Sequence, residues 1–333
     1  MEPDDLRLIR ALQMAPRASF ARLAAVLGMH ERTVSRRYSA LRRQGMIRIF
    51  GLVNPMALGQ QAWNVRVRCR PDASTSIATA LAKRPDVAWV GISGAGSEVS
   101  FAVRSLSAES RELLLTRSLP RTAQVLDIEA RVILHVFIGM ESMDWAGLET
   151  VLSSEEAAQL ADSAVPPIQN EQAAENRTVT LEPYDTAIVD CLVVDGRAGT
   201  ARLAEAAGIS EGRAARRLAT LIRSRTVMID LDLAATLFGY PMYARIDMMV
   251  SPSQLDRVGR EIADIPEVGY AAAISGRTNL MASLTCRDLD HLYQVASDRI
   301  GSIAGIVSMQ IEPATRIVKQ SGGLVVDGRL IEP

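Results

Sequence analysis

The sequence is poor in the residues that build metal centres and disulfide frameworks. It contains three Cys and three His, each far from the others along the chain. We find no CxxC, HExxH or Gly-rich phosphate loop, so the sequence predicts neither a metal site nor a cofactor. An odd number of distant Cys is typical of a reducing compartment, and we expect a cytoplasmic protein.

Long apolar runs are also missing from the sequence. No segment is apolar over the roughly 20 residues that a helix needs to cross a bilayer, and no signal-peptide pattern opens the chain. The acidic residues are dispersed, and the Ser and His residues show no arrangement that indicates a catalytic triad. We therefore expect no membrane partner, no catalytic residues and no enzymatic activity.

The net charge of −1 hides an excess of Arg near the N-terminus. Residues 1–51 contain ten Arg and four acidic residues, which gives this part a net charge of +6. Because the whole chain has only two Lys, the abundance of Arg is less informative than its placement. A local positive charge attracts a polyanion whatever the overall charge, so the N-terminal part is a candidate nucleic-acid-binding module.

Residues 20–47 have the pattern of a helix-turn-helix. A short amphipathic helix ends at Gly28, and a second helix carries an apolar stripe at Val34, Tyr38 and Leu41. The other faces of the second helix carry Arg, Ser and Thr, which suit the bases and phosphates of the DNA major groove. The predicted DNA-binding residues here are Arg32, Thr33, Ser35, Arg36, Arg37, Ser39 and Arg43.

The sequence repeats one unit of about 140 residues at an offset of about 180 residues. The matching pairs include Leu12 and Leu192, Arg17 and Arg197, Gly28 and Gly208, Arg36 and Arg216, and Leu41 and Leu221. Further along, Ile92-Ser93-Gly94 returns as Ile274-Ser275-Gly276. Matches in constant order indicate a tandem duplication.

After each helix-turn-helix, the pattern predicts the order strand–helix–strand–strand–helix–strand of a ferredoxin-like sandwich. A short strand pair at residues 47–53 would form a wing. The expected fold class is α+β, with two copies of a winged helix-turn-helix followed by a ferredoxin-like βαββαβ sandwich. The expected domains are 1–55, 60–140, 181–235 and 240–320, with an acidic linker at 141–180 and a loose Gly-rich tail after Gln320.

This organisation resembles the Lrp/AsnC family of feast/famine transcriptional regulators. The residues that carry the resemblance are Leu23-Ala24, Leu27-Gly28, Thr33-Val34, Arg36-Arg37, Leu41, Gly45-Met46-Ile47, Leu58-Gly59, Ser93-Gly94 and Ile311-Glu312. The resemblance implies a sequence-specific regulator that binds double-stranded DNA, responds to an amino acid or related metabolite, and forms a dimer or tetramer of two-unit chains. It also implies that sandwiches pair, and pairing within one chain or between chains is equally compatible with the sequence.

The second helix-turn-helix retains fewer of the polar residues. Its candidate DNA contacts are Arg213, Arg216 and Arg217. Residues 181–232 contain seven Arg and eight acidic residues, and Asp230 and Asp232 occupy the wing. We expect these carboxylates to repel DNA phosphates, so the first module should supply most of the affinity.

The resemblance implies an effector site near the Gly-containing turns of the sandwiches, although Gly between two strands also suits an ordinary hairpin. The candidate residues are Ser93, Gly94, Gly96, Ser97 and Glu98 in the first unit and Ser275, Gly276, Thr278 and Asn279 in the second. The family tends to place an acidic residue where Ser97 and Asn279 stand. The effector could therefore differ from a plain amino acid, or one sandwich could bind nothing.

Two other functions are compatible with this architecture. Siroheme decarboxylases resemble it, also as fused double units, and carry a His/Tyr/Arg-rich segment on the sandwich strands. The corresponding strands here offer Trp89 and Tyr270 but no His or Arg. The second alternative is a ligand sensor that does not bind DNA, and the Arg-rich helix of the first unit argues against it.

Overall fold

The computed structural model describes residues 2–104, 108–139, 148, 151–161 and 180–331. Within these ranges, no helix is both long and apolar enough to cross a membrane. The predicted linker residues 162–179 lie outside the described part of the chain.

The first unit opens with three helices and one strand: α1 (Pro3–Met14), α2 (Phe20–Leu27), α3 (Glu31–Arg43) and β1 (Ile47–Val53). Its sandwich follows as β2 (Trp63–Cys69), α4 (Ser74–Ala82), β3 (Val87–Ser93), β4 (Glu98–Val103), α5 (Ala108–Glu112) and β5 (Val125–Ile138). A wider helical turn, Leu113–Ser118, continues α5. These elements match the predicted order, since the apolar periodicity of each segment is strong.

One further helix, α6 (Ser154–Ala161), lies in the region that the sequence assigned to an acidic linker. Leu148, Leu152 and Leu160 are buried in the core of the first helix-turn-helix. The Arg7 guanidinium also binds the Glu156 carboxylate. The described part of this region is therefore packed structure, because its leucines reach an apolar surface that α1 and α2 leave uncovered.

The second unit repeats the first. Its elements are α7 (Asp185–Val194), α8 (Thr200–Ala207), α9 (Glu211–Arg223), β6 (Val227–Leu233), β7 (Met242–Val250), α10 (Leu255–Ala263), β8 (Val268–Ile274), β9 (Leu280–Cys286), α11 (Leu289–Gln294) and β10 (Ile306–Gln320). The segment Val295–Ile300 continues α11 in the same wide turn that follows α5.

The wing strands pair between the two units. Strand β1 runs antiparallel to β6, from Ile47 opposite Leu233 to Val53 opposite Val227. Val53 of the first unit is buried in the core of the second helix-turn-helix, and Leu231 of the second is buried in that of the first. The predicted strand pair within residues 47–53 is therefore wrong, because each unit supplies a single strand.

The two sandwiches close into one ring of eight strands, in the order β3-β4-β2-β5-β8-β9-β7-β10. Strand β5 pairs with β8, and β10 pairs with both β7 and β3. In each sandwich, one face of the sheet packs on the helices of the same unit, and the opposite face points into the ring. Successive side chains of a strand therefore alternate between the helix-covered core and the interior of the ring. The structure thus pairs the sandwiches within the chain.

The segment after Gln320 is ordered, contrary to the expectation of a loose tail. It forms a hairpin of β11 (Gly323–Val326) and β12 (Arg329–Ile331) that extends β10. Both turns, Ser321-Gly322 and Asp327-Gly328, have two positive φ angles, which suits two-residue hairpins. The Leu330 backbone N–H then donates to the Gly45 carbonyl at 2.9 Å, which anchors the tail on the first helix-turn-helix.

Two equivalent arginines join the helix-turn-helix domains. Arg197 donates to the carbonyls of Pro16 at 2.6 Å and Ala18 at 2.7 Å, and Arg17 donates to those of Gly196 and Ala198. The Arg197 guanidinium also lies over the ring of Phe20, 4.7 Å from its centroid. Arg17 and Arg197 are equivalent positions of the repeat. Arg17 therefore binds the loop that precedes α8 in the second unit, and Arg197 binds the loop that precedes α2 in the first.

Replacing Arg197 with Met should destabilise the chain by about 2–4 kcal/mol, because two carbonyls of the first unit lose charge-assisted hydrogen bonds. Urea unfolding followed by circular dichroism measures the loss. Arg202→Met is the matched control, since Arg202 is exposed and its ion pair with Asp195 spans 3.8 Å. A loss no larger than that of the control would contradict the importance of this contact.

Burial raises the pKa of Asp232 to about 6, despite a hydrogen bond from Gln320 at 2.6 Å and the charge of Arg48. The folded chain therefore holds this proton more tightly than the unfolded chain. The free energy of unfolding should fall as the pH rises from about 4 to about 6, because in this range the unfolded chain has lost the Asp232 proton and the folded chain still holds it.

Asp232→Asn should remove this component of the pH dependence. Relative to the wild type, the variant should gain on the order of 2–3 kcal/mol between pH 4 and pH 7. Chemical unfolding of both proteins across this range gives the difference. Parallel pH profiles would show that Asp232 does not titrate in this window.

Candidate nucleic-acid interface and effector site

The helix-turn-helix geometry follows from local chemistry at the ends of α2. The Ser19 hydroxyl accepts from the Arg22 backbone N–H at 3.2 Å and caps the helix start. Gly28, at φ 65°, ends the helix in the left-handed conformation that favours glycine. Val34 and Tyr38 of α3 are buried below, with the Tyr38 ring 5.3 Å from that of Phe20.

The outer face of α3 carries the predicted DNA-binding side chains. Arg32, Arg36, Ser39 and Arg43 are exposed, and Thr33 and Ser35 are half-buried at the flanks. Within the described residues, the guanidinium groups of Arg32, Arg36 and Arg43 form no ion pair. These three cations remain available to a polyanion.

Arg37, which the sequence placed in the same set, has another role in the structure. Its guanidinium binds the carboxylates of Glu2 and Asp5, each at 2.7 Å, and these hydrogen bonds raise the pKa of Arg37. In the second unit, Arg217 binds Asp185 in the same way, with Nε 2.8 Å from Oδ1. Both arginines hold α3 or α9 to the first helix of their unit, and their charges are already compensated.

The second helix-turn-helix also carries exposed arginines, Arg213, Arg216 and Arg223, and one of them is held by an aromatic ring. Arg213 lies over the Tyr184 ring at 4.7 Å, and its Nε donates to the Tyr184 hydroxyl at 3.2 Å. Arg216 is exposed on α9. Asp232 is only 4% exposed, so the expectation that its carboxylate repels DNA phosphates is wrong. The asymmetry rests on the net charges of the two modules, +6 over residues 1–51 and −1 over residues 181–232, and not on a carboxylate of the wing that faces DNA.

The first Gly-containing turn opens on a cavity of about 440 Å³ at one end of the ring, here called the effector cavity. Among the candidate residues, it is lined by Ser93, Gly94, Ser97 and Glu98. Gly96 instead faces the segment around Pro71 and Ser74. The remaining lining residues are Arg66, Arg68, Asp127, Glu129, Arg277, Gln310 and Glu312.

The second Gly-containing turn has mainly structural contacts. The Ser275 hydroxyl accepts from the Val132 backbone N–H at 2.9 Å, which links β8 to β5. The Asn279 amide bonds to both backbone groups of Val250, at 2.7 and 2.8 Å. Ser275, Gly276, Thr278 and Asn279 are not among the residues that line the effector cavity, whereas Arg277 is. Arg277 belongs to the second candidate turn, but its place beside the first turn could not be predicted from the sequence, since only the folded ring brings the two together.

Asp127 and Glu129 supply the carboxylates that the turns themselves lack. Both lie on β5 and line the effector cavity, together with the exposed Arg68 and Arg277. The sequence could not reveal this, because the family pattern places the acidic residue in the turn. The cavity therefore offers groups of both charges at its open end.

A cluster of buried charges fills the centre of the ring; it consists of Arg66, Glu98, Arg131, Arg245, Asp247 and Glu312 and is here called the charge cluster. Arg245 Nη2 lies 3.0 Å from Glu98 Oε1, and Arg66 Nη1 lies 3.2 Å from Asp247 Oδ2. Burial alone would raise the pKa of Glu98, but the hydrogen bond from Arg66 and the charge of Arg245 lower it to about 2. Glu98 is thus an anion whose carboxylate is already paired with Arg66 and Arg245.

The comparisons with known proteins agree with this architecture. The family described as the AsnC-type helix-turn-helix domain matches residues 1–42 and 181–222, and the Lrp/AsnC ligand binding domain matches residues 243–324. An HTH-type transcriptional regulator of Pyrococcus abyssi is 27% identical over 149 residues, which cover 44% of this chain and 94% of the relative. A similar regulator of Pyrococcus horikoshii is 25% identical over 145 residues, covering 43% of this chain and 92% of that protein.

Among solved structures, the siroheme decarboxylase NirDL matches over 95% of this chain and 92% of its own, with a TM-score of 0.64 and 15% identity. At this identity the likeness shows a shared fold alone. The family models, in contrast, match this chain in sequence, over both helix-turn-helix domains and the second sandwich. The chain belongs to the Lrp/AsnC family, and it combines two AsnC-type helix-turn-helix domains in one polypeptide.

Proposed function

We propose that this protein is a transcriptional regulator that binds double-stranded DNA through α3 and responds to a small zwitterionic metabolite. The observation that carries the proposal is the exposed row of Arg32, Arg36 and Arg43, whose guanidinium groups have no ion-pair partner among the described residues. Exposed arginines on the second helix of a helix-turn-helix can pair with guanine or with phosphates.

The charge of the two modules supports an unequal division of DNA binding. The first carries a net charge of +6 over residues 1–51, and its uncompensated arginines share one face of α3. The second carries a net charge of −1 over residues 181–232, although Arg213, Arg216 and Arg223 are exposed on α9. Since each phosphate contact contributes to affinity, the first module should supply the larger share.

The effector cavity supports recognition of a zwitterion. Arg68 and Arg277 can bind a carboxylate, and Asp127 can accept from an ammonium group. The cavity volume of about 440 Å³ accommodates a molecule the size of an amino acid. An amino acid or a close derivative is therefore the proposed effector. The protein would act as a homo-oligomer of two-unit chains.

A siroheme-decarboxylase-like enzyme is the second candidate, and the fold shared with NirDL over the length of the chain is what favours it. Among the described residues, Trp89 and Tyr270 line one interior cavity of about 260 Å³, and no His lines it. This volume is below the ~300–1,000 Å³ that is usual for sites of drug-sized ligands. Four pyrrole rings with their acidic side chains need more room, so we favour the regulator.

Replacing Arg36 with Ala should weaken operator binding by about 1–3 kcal/mol, and Arg216→Ala should weaken it less. Fluorescence anisotropy with DNA fragments from around the protein's own gene, at two salt concentrations, measures both losses. Arg257→Ala, on the exposed face of α10 in the sandwich, is the control and should leave the affinity unchanged.

Equal losses for Arg36 and Arg216 would contradict the division between the modules. Failure of the wild-type protein to bind any fragment selectively would contradict a DNA-binding regulator. In that case, a change in the absorbance spectrum of an added iron tetrapyrrole would favour the enzyme.

The effector proposal has its own test. At least one L-amino acid from a complete panel should bind in isothermal titration calorimetry, and Arg277→Ala should weaken that binding at least tenfold, or about 1.4 kcal/mol. Arg287, exposed at the end of β9, provides the control variant Arg287→Ala. An absence of binding across the panel, or equal binding by both variants, would contradict the assignment of this cavity.

A further inference from the structure

A second cavity lies at the other end of the ring, between the sandwich strands and the β1–β6 ribbon, and is here called the ribbon cavity. It has a volume of about 260 Å³. Its floor comes from the inner faces of the sandwich strands, and Phe50, Leu52 and Asp230 of the ribbon line it from above. The effector cavity and the ribbon cavity share no lining residue.

The ribbon cavity has aromatic walls. Trp89 and Tyr243 are in contact, with ring centroids 5.5 Å apart, and Tyr270 lines the same space. Burial raises the pKa of Tyr270 to about 12, so its phenol stays protonated and can donate a hydrogen bond. Flat rings on these walls present faces and edges against which another aromatic ring packs favourably.

Arg104 places a cation at the edge of this apolar space. Its Nη1 is shielded from solvent and has no hydrogen-bond partner among the described residues. Burial lowers the pKa of Arg104, and the carboxylate of Asp230 opposes this shift, but a guanidinium remains protonated in proteins. A shielded guanidinium nitrogen without an acceptor costs free energy that an anionic ligand would recover.

A second polar atom in the same cavity also lacks a partner. Asn64 is 5% exposed, and its Oδ1 accepts no hydrogen bond from the described residues. Arg245, the other cation of the lining, is committed to Glu98 and Glu312 of the charge cluster. Arg104 is therefore the cation that the lining offers to a ligand, and Asn64 offers an acceptor.

We propose that the ribbon cavity binds a small aromatic carboxylic acid, with its ring between the aromatic walls and its carboxylate on Arg104. The volume limits the ligand to one or two rings. The single available cation, together with Asp230 in the same lining, selects a monoanion over a dianion. The site is distinct from the effector cavity, from which the charge cluster separates it.

A ligand in the ribbon cavity would contact the strands that join the two helix-turn-helix domains. Phe50 and Leu52 belong to β1 and Asp230 to β6, and this ribbon enters the cores of both helix-turn-helix domains. Any regulatory consequence rests on the proposed function, whereas ligand binding itself does not. The test is therefore made on the protein without DNA.

Isothermal titration calorimetry with phenylacetate and with its neutral amide, phenylacetamide, tests the charge requirement. Phenylacetate should bind, and the amide should bind at least tenfold more weakly, because Arg104 then lacks an anion. Arg104→Met should lose this preference for the acid, while Arg277→Ala, in the effector cavity, should retain it. Arg104→Lys should bind the acid with intermediate affinity.

Thermal unfolding gives a second measurement, and its comparison of unliganded proteins does not depend on the choice of ligand. Because Met removes a shielded guanidinium nitrogen that has no hydrogen-bond partner among the described residues and keeps most of the side-chain volume, Arg104→Met should unfold at a higher temperature than the unliganded wild type. Phenylacetate should raise the unfolding temperature of the wild type and of Arg277→Ala but not that of Arg104→Met. Absence of binding, equal affinity for acid and amide, or unchanged binding by Arg104→Met would each overturn the proposal.

Discussion

Closure of the eight-stranded ring is the constraint on which the rest of the structure depends. Strand β5 bonds to β8, and β10 bonds to β3, so each sandwich supplies an edge that the other needs. Closure also creates an interior that holds buried charges, which are tolerable only when they are paired and hydrogen-bonded. Arg66 of one unit meets Asp247 and Glu312 of the other, and Arg245 meets Glu98. The two units thus complete each other.

The same closure divides the interior into regions of different chemistry. Along β2, alternate residues run from Asn64 at the ribbon cavity through Arg66 in the charge cluster to Arg68 at the effector cavity. The charge cluster touches both cavities, since Arg66 lines one and Arg245 lines the other. Ligands at the two ends would thus contact a single network of ion pairs, which gives a physical basis for coupling between them.

The helix-turn-helix domains are held together by a different set of contacts. The β1–β6 ribbon places a strand of each unit in the core of the other, and Arg17 and Arg197 exchange hydrogen bonds with opposite loops. These contacts are symmetric, whereas the exposed faces of α3 and α9 are not. Duplication has preserved the residues that join the units and has allowed their surfaces to diverge.

The sequence by itself determined the repeat, the order of the elements and most of their bounds, because apolar periodicity and turn residues act within a few residues along the chain. It also identified Arg32, Arg36 and Arg43 as one helix face. Only the tertiary structure decided that β1 pairs with β6, that Arg37 and Arg217 bind carboxylates on the first helix of their own units, and that Asp127 and Arg277 share a cavity. These contacts join residues distant in sequence, so their partners depend on which sheet edges meet. The tail hairpin is different, since its Ser-Gly and Asp-Gly turns are local features of the sequence, and the glycines that suggest a loose tail are the residues that form these turns.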